Sequence, residues 1–224
     1  MNLEKSYEFF NPDADRNRVH IIGCGSVGST IAENLVRCGV EKISLYDFDT
    51  VEEHNIANQM FRDKDIGRNK AEALKEILAE INPDAAKEIR VNTNGWNGEE
   101  VMGYIFMCVD SMDVRRAIFE AHKNNPCVPA VFDVRTLLTG AQHYAASWAD
   151  YKQRDNLWRS MQFTDEQADE STPVSACGVV LGVATTIRLI SALAVNNYIK
   201  FAKGEKNWKF VQIDGFSGIL DCFE

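Results

Sequence analysis

The 224-residue chain is long enough for one domain with a substantial core, and its 45% hydrophobic and 25% charged residues are typical of a soluble globular protein. Its formal net charge of −9, without any run of Lys or Arg, argues against nucleic acid as a partner, because a phosphate backbone would be repelled. A protein or peptide with a basic face is a more natural match for this charge.

The N-terminal sequence and the cysteines indicate an intracellular protein. Residues 1–10, MNLEKSYEFF, lack the basic and then apolar layout of a secretory signal, so we expect a cytoplasmic location. None of the six cysteines forms a C-x-x-C pair, so we expect no structural zinc. Residues 174–195 are long and apolar enough to span a bilayer, but Arg188 near their middle would cost roughly 2.5–3.5 kcal/mol on insertion. We therefore predict a helix buried inside the domain, and no membrane association.

Strand and helix patterns alternate along the chain. In chain order they predict a strand at 18–23, a helix ending near Gly39, a strand at 42–49, a helix over 71–81, a strand at 104–110, a helix from about Met112 to Asn124, strands at 128–134 and 140–148, the helix within 174–195, and a strand at 207–215. This alternation predicts a Rossmann-like, doubly wound α/β fold whose mostly parallel sheet carries antiparallel C-terminal strands. We expect a single domain over 1–224. Its charged segment 150–172 is expected to be a mobile crossover or lid, either a helix over the active face or a loop that orders on binding.

A glycine-rich turn follows the first predicted strand and precedes the first predicted helix. Gly23, Gly25 and Gly28 form G-x-G-x-x-G, whose missing side chains let the backbone approach a phosphate closely. The helix N-terminus, beginning near Ser26, supplies unpaired N–H groups and a partial positive charge. Asp47 lies 19 residues after Gly28, at the end of the second strand, where a carboxylate commonly binds ribose hydroxyls. A nucleotide is therefore expected, and the turn by itself leaves an adenine dinucleotide and ATP equally open.

Four motifs in the first half of the chain resemble those of the ThiF-type adenylyltransferases, which include the molybdopterin-synthase, thiamine-pathway and ubiquitin-activating enzymes. The motifs are GCGSVG, the acidic strand end LYDFDTV, the segment N-I-x-x-Q followed by I-G-x-x-K, and the strand end CVD. The resemblance is clear over 18–110 and weaker at 127–147 and 174–195. It implies that the chain is the bare adenylation core of this family, uses ATP and Mg²⁺, and forms a homodimer.

The resemblance also implies roles for the polar residues of these motifs. Asp47 would bind the ribose, and Asp49 is counted with it among the nucleotide-binding residues. Asn55 and Gln59 would line the phosphate side of the site. The reaction implied is attack of a carboxylate on ATP, giving an acyl-adenylate and pyrophosphate. In the family that carboxylate is often the C-terminus of a small ubiquitin-like or carrier protein.

Lys70 and Asp110 carry the chemistry in this interpretation. Lys70 would neutralise ATP phosphates, and Asp110 would hold Mg²⁺ or position the reacting phosphate. A lysine and a metal-bound carboxylate at the ends of parallel strands stabilise the negative charge that develops as pyrophosphate leaves. The alternatives are that Lys70 is a solvated helix lysine and that Asp110 caps the helix beginning near Met112.

Two positive charges of the family pattern are missing. Asn58 occupies the place of an arginine that contacts ATP, and an amide supplies neither the charge nor the fork of a guanidinium. The N-terminal arm with which a dimer partner lends a further arginine is also absent, since only Arg16 and Arg18 precede the first strand. Arg62 and Arg135 are the candidates for replacing these charges.

Three functions remain open on the sequence. The first is an ATP-dependent adenylyltransferase, in which Cys177 is a candidate nucleophile for a later thioester step, with a buried packing cysteine as the alternative. The second is a non-catalytic nucleotide- or partner-binding module of the same fold, which the missing arginines favour. The third, an NAD-dependent oxidoreductase, ranks last because no residue pattern indicates hydride transfer.

Overall fold

Eight strands form one sheet in a computed structural model, which describes residues 1–164, 166–167 and 182–224. The strands are β1 (Val19–Ile22), β2 (Ile43–Tyr46), β3 (Arg90–Asn92), β4 (Tyr104–Met107), β5 (Ala130–Thr136), β6 (Gly140–Ser147), β7 (Phe210–Asp214) and β8 (Ile219–Phe223). The helices of the described residues are α1 (Ser26–Arg37), α2 (Lys70–Ile81), α3 (Ala85–Glu88), α4 (Met112–His122), α5 (Tyr151–Arg159) and α6 (Ala184–Ala202). Short 3₁₀ turns lie at Pro12–Ala14, Glu53–Ala57 and Asp63–Asp65.

The strand order is β3-β2-β1-β4-β5-β6-β7-β8. All pairs from β3 to β5 are parallel, and the pairs β5–β6, β6–β7 and β7–β8 are antiparallel. This confirms the predicted Rossmann-like α/β fold with antiparallel C-terminal strands. The chain winds outward from β1 to β3 and then returns to β4 on the other side of β1. The crevice at the carboxyl ends of β1 and β4 is therefore the switch point at which such sheets bind ligands.

Helices cover both faces of the parallel part of the sheet. On one face, α1, α2 and α6 pack over β1, β2, β4 and β5 in the larger core cluster. On the other face, α4 and α5 pack over β1, β4, β5 and β6 in a second cluster. Since both faces of β1, β2 and β4 are buried, these strands are continuous apolar runs rather than alternating ones.

The helix predicted within 174–195 begins later and is less buried than expected. In the described residues it is α6, and residues 174–181 lie outside them. One side of α6 packs on α1, β5 and β6, but Arg188 and Leu189 are exposed, and Leu189 is 43% accessible. The prediction of a buried helix is therefore wrong for this side, where Arg188 was the available signal and the exposed Leu189 and Ala192 gave none. No helix in the described ranges is long and apolar enough to cross a membrane.

Three further segments differ from the sequence-based expectation or refine it. The first part of 150–172 is a helix, α5, whose Leu157 is buried in the core on the α4 side; residues 165 and 168–172 lie outside the described part. The strands β3 and β8 were not predicted. β3 has only three residues, and β8 is exposed along its whole length, so neither carries a burial pattern.

Candidate functional site

Packing requires glycine at two positions of the glycine-rich turn, whereas the third position faces open space. Gly23 has a φ of +94°, and a Cβ there would lie 2.6 Å from the carbonyl oxygen of Cys108. A Cβ on Gly28 would lie 1.9 Å from the carbonyl oxygen of Gly23. At Gly25 nothing lies within 4 Å of the corresponding position, and no side chain caps this end of α1. The first N–H groups of α1 therefore face an open space suited to an anion.

Asp47 fastens this turn to the end of β2. Its carboxylate accepts hydrogen bonds from the backbone N–H of Cys24 at 2.6 Å and of Asp49 at 2.8 Å. Burial raises the pKa of Asp47, while these two N–H donors and the nearby Lys70 ammonium act in the opposite direction. Each oxygen of Asp47 is thus already engaged in holding the backbone of the site.

Lys70 and Asp49 form an ion pair beside the turn. The Nζ of Lys70 lies 2.9 Å from Oδ2 of Asp49, and the two side chains are 11% and 50% exposed. Lys70 is the first residue of α2. Asn69 caps that helix by accepting from the N–H groups of Ala71 and Glu72, and it also donates to the carbonyl oxygen of Asp47 at 2.9 Å. The alternative that Lys70 is a solvated helix lysine is therefore wrong, because the cap holds it against the end of β2.

Asp110 lies three residues beyond β4, at the same edge of the sheet. Ile22 of β1 is paired with Tyr46 of β2 and with Met107 of β4, so the three strands end level with one another. Asp110 is exposed, and its Oδ1 accepts from the N–H of Ser111 at 2.9 Å. The alternative that Asp110 caps α4 is wrong, because the cap is Ser111, whose Oγ accepts from the N–H of Val114.

The segment from Asn55 to Met60 lies beside the first turn of α1. Asn55 is buried, and its Oδ1 accepts from the N–H of Glu52 at 2.9 Å. Gln59 carries a buried Oε1 without a hydrogen-bond partner among the described residues. The N–H of Met60 donates to Oγ of Ser29 in α1. A ligand over the turn would therefore meet this segment on one side.

Asn58, at the position where the family pattern has an arginine, contacts the chain just before α6. Its Nδ2 is 3.4 Å from the carbonyl oxygen of Gly182, which it contacts at the limit of a hydrogen bond. No charge is supplied there. The position instead joins the segment after β2 to the chain that enters α6.

Arg62 and Arg135 are both held by carboxylates within the protein. Arg62 pairs with Asp65 at 2.9 Å and with Glu80 at 2.6 Å. Glu80 is ten residues beyond Lys70 on α2, which places its backbone about 15 Å along the helix axis from that of Lys70. Its carboxylate therefore draws the guanidinium of Arg62 toward the far end of α2. Arg135 bonds to Asp133, stacks over the ring of Tyr144 at 4.6 Å, and is buried, which lowers its pKa to about 10. Partners of this kind are not visible in a sequence motif.

The cysteines and metal ligands add little to the site. Cys177 lies outside the described residues. Cys24 is fully buried, and burial raises the pKa of its thiol well above the ordinary value, as expected of a packing residue. Within the described ranges no three His, Cys, Asp or Glu side chains are arranged to hold a metal ion. A Mg²⁺ ion bound through one carboxylate and the phosphates of a nucleotide needs no such group.

Two features of the site were missed by the sequence reasoning. Asn69, directly before a periodic apolar helix, has the signature of a helix cap and could have been found by it. Arg115 and Asp133 form a buried pair between α4 and β5. An aspartate in the middle of the apolar strand VPAVFDV was the available signal, because buried charges are seldom left unpaired.

The sequence model of the ThiF family matches residues 10–223. The chain is 35% identical over 138 residues to ubiquitin-like modifier-activating enzyme 5 of Dictyostelium discoideum, an alignment that covers 54% of this chain and 36% of the relative. The same enzyme of Arabidopsis thaliana is 35% identical over 123 residues, covering 46% of this chain and 28% of the relative. The chain thus spans about a third of the length of these relatives.

Two solved structures have the same fold. MccB of E. coli, crystallised with ATP, superposes with a TM-score of 0.73 at 16% identity, covering 94% of this chain and 64% of MccB. PaaA superposes with a TM-score of 0.69 at 16% identity, covering 93% of this chain and 64% of PaaA. In both cases the likeness extends over nearly all of the chain and over just under two thirds of the other protein.

Proposed function

The chain belongs to the ThiF family, and on that premise we propose that it is an ATP-dependent adenylyltransferase that activates a carboxylate as an acyl-adenylate. The substrate we propose is the C-terminal carboxylate of a small ubiquitin-like or carrier protein, or of a peptide. Relatives named for activating a ubiquitin-like modifier, and the fold shared with an MccB structure that holds ATP, support this choice.

The ion pair between Lys70 and Asp49 carries the proposal. A nearly buried ammonium beside the uncapped N-terminus of α1 provides positive charge where phosphates would lie over the glycine turn. A half-exposed carboxylate next to it offers acceptors for ribose hydroxyls. An oxidoreductase that binds a dinucleotide has no need of this ammonium, which therefore favours a triphosphate.

We assign the ribose to Asp49 rather than to Asp47. Both oxygens of Asp47 are engaged by the N–H groups of Cys24 and Asp49, and its side chain is buried. Asp49 accepts from Lys70 on one oxygen and is open to solvent over half of its surface. In this division Asp47 fixes the shape of the turn, and Asp49 contacts the nucleotide. The buried acceptor of Gln59 suits a hydroxyl or amine donor of the same ligand.

The proposed step is an in-line displacement at the α-phosphorus. A carboxylate oxygen of the substrate forms a bond to that phosphorus, and the bond to the bridging oxygen breaks, so that pyrophosphate leaves with the electron pair. The ammonium of Lys70 and the N–H groups of α1 stabilise the charge on the phosphates. Asp110, at the end of β4, would hold Mg²⁺, which when bound neutralises part of that charge.

A non-catalytic binding module is the second candidate. The specific observation in its favour is that Arg62 and Arg135 are committed to Asp65, Glu80 and Asp133, and that Asn58 supplies no charge. A protein with these features would bind ATP through Lys70 and Asp49 without transferring the adenylyl group. A homodimer and a cytoplasmic location stay predictions from the sequence.

ATP–pyrophosphate exchange with candidate peptides bearing a free C-terminus distinguishes these functions. Exchange that is lost in Lys70→Ala and in Asp110→Ala, but kept in the exposed-site control Lys87→Ala, is the result expected of the enzyme. ATP binding without exchange for any candidate carboxylate would favour the binding module. Tight binding of NAD without binding of ATP would contradict both the enzyme and the binding module, and would favour an NAD-dependent oxidoreductase.

A further inference from the structure

A buried network of two arginines and one aspartate lies between α4 and β5. The carboxylate of Asp133 is inaccessible to solvent, and each of its oxygens is bound by a different guanidinium. Arg115 of α4 donates from Nη1 to Oδ1 of Asp133. Arg135 donates to Oδ2 from Nε at 2.9 Å and from Nη2 at 2.5 Å. The network therefore keeps one net positive charge inside the protein.

Arg115 also holds the backbone at the exit of β4. Its guanidinium donates to the carbonyl oxygens of Met107 at 3.3 Å, of Val134 at 3.1 Å, and of Val109. Val109 is the residue directly before Asp110. The same short exit is bound to β1 through the N–H of Cys108 and the carbonyl oxygen of Ile22 at 2.8 Å. The place of Asp110 is thus set by β1 on one side and by Arg115 on the other.

The outer arginine supports the inner one. Arg135 donates to the carbonyl oxygen of Ser160 at 2.8 Å and to its Oγ at 2.9 Å, at the C-terminal end of α5. With Arg135 fixed in this way, Asp133 has a defined orientation, and so has the Nη1 of Arg115 that binds it. Each link is a hydrogen bond from a guanidinium to a carboxylate, a carbonyl oxygen or the hydroxyl of Ser160.

We propose that Arg115 is a positioning residue for Asp110, and that Asp133 and Arg135 hold Arg115 in the orientation this requires. The inference rests on the proposed function, in which Asp110 contributes the carboxylate that shares Mg²⁺ with the phosphates of ATP. The planar guanidinium of Arg115 reaches a carboxylate and three carbonyl oxygens at once, whereas an ammonium cannot do so with the same geometry.

A network that only stabilises the fold would behave differently. Loss of such a network would weaken ATP binding, if at all, by the same factor with and without Mg²⁺. If the network instead positions Asp110, its loss should reduce only the gain in ATP affinity that Mg²⁺ provides. The ratio of ATP affinities measured in Mg²⁺ and in EDTA therefore separates the two roles.

The test is a calorimetric titration of the full chain with ATP, in Mg²⁺ and in EDTA. For Arg115→Lys, which keeps the charge beside Asp133, we expect the Mg²⁺-to-EDTA affinity ratio to fall by roughly tenfold, as for other residues that support a metal ligand. Arg116→Lys is the matched control. Arg116 adjoins Arg115 on α4, but it donates to the carbonyl oxygens of Met161 and Phe163 rather than to the exit of β4. Its ratio should stay within about twofold of the unaltered protein.

A double-mutant cycle shows whether Arg115 acts through Asp110. In an Asp110→Asn background the effect of Arg115→Lys on the ratio should shrink to less than about twofold, because the group being positioned is gone. An equal effect in both backgrounds would overturn the inference. So would an Arg115→Lys protein whose affinities in Mg²⁺ and in EDTA fall by the same factor.

Circular dichroism and thermal unfolding establish that each variant is folded. If Arg115→Lys does not fold, Arg135→Gln takes its place, since it leaves Asp133 paired with Arg115 and removes only the outer support. A ratio lowered by roughly threefold is then expected, less than the roughly tenfold effect of a direct supporting residue, because Arg135 acts on Arg115 only through Asp133. An unchanged ratio overturns the inference. If the unaltered protein binds no ATP, both the proposed function and this inference are wrong. If it binds ATP but the ratio of affinities in Mg²⁺ and in EDTA is unchanged in the variant, only this inference is wrong.

Discussion

Two sets of paired charges lie near the carboxyl edge of the sheet, and they differ in how much water reaches their carboxylates. Asp49, which pairs with Lys70, is half exposed, whereas Asp133, between Arg115 and Arg135, is fully buried. A ligand can therefore reach Asp49 and compete for, or share, its contact with Lys70. Both carboxylate oxygens of Asp133 are instead bound by arginines of the protein itself. A charged residue near the edge of this sheet is therefore a ligand candidate only when the carboxylate of its ion pair is accessible to solvent.

The largest effect expected from this difference is on stability. Asp133→Ala leaves two buried guanidiniums without their carboxylate and should lower the free energy of unfolding by about 3–5 kcal/mol. Asp49→Ala removes a partly solvated pair and should lower it by less than about 1 kcal/mol. Urea unfolding of both variants measures this contrast. Equal losses would contradict the distinction between the two sets of charges.

A second contrast lies within the glycine turn. A Cβ on Gly28 meets a backbone oxygen at 1.9 Å, so Gly28→Ala should lower the free energy of unfolding by about 2–3 kcal/mol or more. Gly25→Ala meets no protein atom and should change stability by less than about 0.5 kcal/mol. It should nevertheless weaken ATP binding, because the methyl group enters the space left for phosphates. A Gly25→Ala protein with unaltered ATP affinity would argue against that use of the space.

His20 is buried without a carboxylate partner, so its effect on stability should depend on pH. Burial is the main cause that lowers the pKa of His20 to about 4, whereas an unfolded chain has a histidine pKa of about 6.5. Between these values the unfolded chain binds a proton that the folded protein does not, so stability falls as the pH is lowered. The loss from His20 should reach about 2 kcal/mol by pH 5.

Urea unfolding at pH 7 and pH 5 tests this expectation. His20→Gln keeps hydrogen-bonding groups for Tyr46 and for the carbonyl oxygen of Met102 but cannot titrate, so its pH dependence should be smaller. His143, whose pKa burial lowers to about 3, acts with the same sign and is present in both proteins. The same pH dependence in both proteins would show that His20 is protonated alike in the folded and unfolded states.

The smallest effect is expected at Arg62. Its guanidinium pairs with Asp65 and Glu80, well along α2 from Lys70. Arg62→Gln should therefore change ATP affinity by less than about twofold. A loss of tenfold or more would mean that this arginine turns toward the nucleotide on binding, and the assignment of the site's positive charge to Lys70 alone would need revision.

Some parts of the fold and site were predictable from the sequence for clear physical reasons. β1, the turn and α1 were predictable because a continuous apolar run, a glycine pattern and a helical period follow one another there. The approximate place of Asp110 followed from the end of a strand, since the carboxyl ends of parallel strands share one edge, whereas that of Lys70 followed from the family resemblance. β8 was not predictable, because a strand exposed on both faces leaves no burial pattern.

The roles of individual charged residues in the site depend on hydrogen bonds and ion pairs that residue spacing in the sequence does not reveal. Asp47 and Asp49 are two residues apart, and only their hydrogen bonds show which one is engaged by the backbone and which one is open. The same holds for Arg62 and Arg135, whose carboxylate partners lie in other elements or inside the sheet. From the sequence, both aspartates were expected to bind the nucleotide, and both arginines were candidates to replace the missing charges.

The proposed function depends above all on Lys70 acting on the phosphates of a bound nucleotide. Its most direct test compares the affinities of ATP and of adenosine for the unaltered protein and for Lys70→Ala, by calorimetry. We predict that Lys70→Ala weakens ATP binding by about tenfold or more and leaves adenosine binding within about twofold, because only ATP carries the charge that the ammonium meets. An unchanged ATP affinity, or equal losses for both ligands, would contradict the claim.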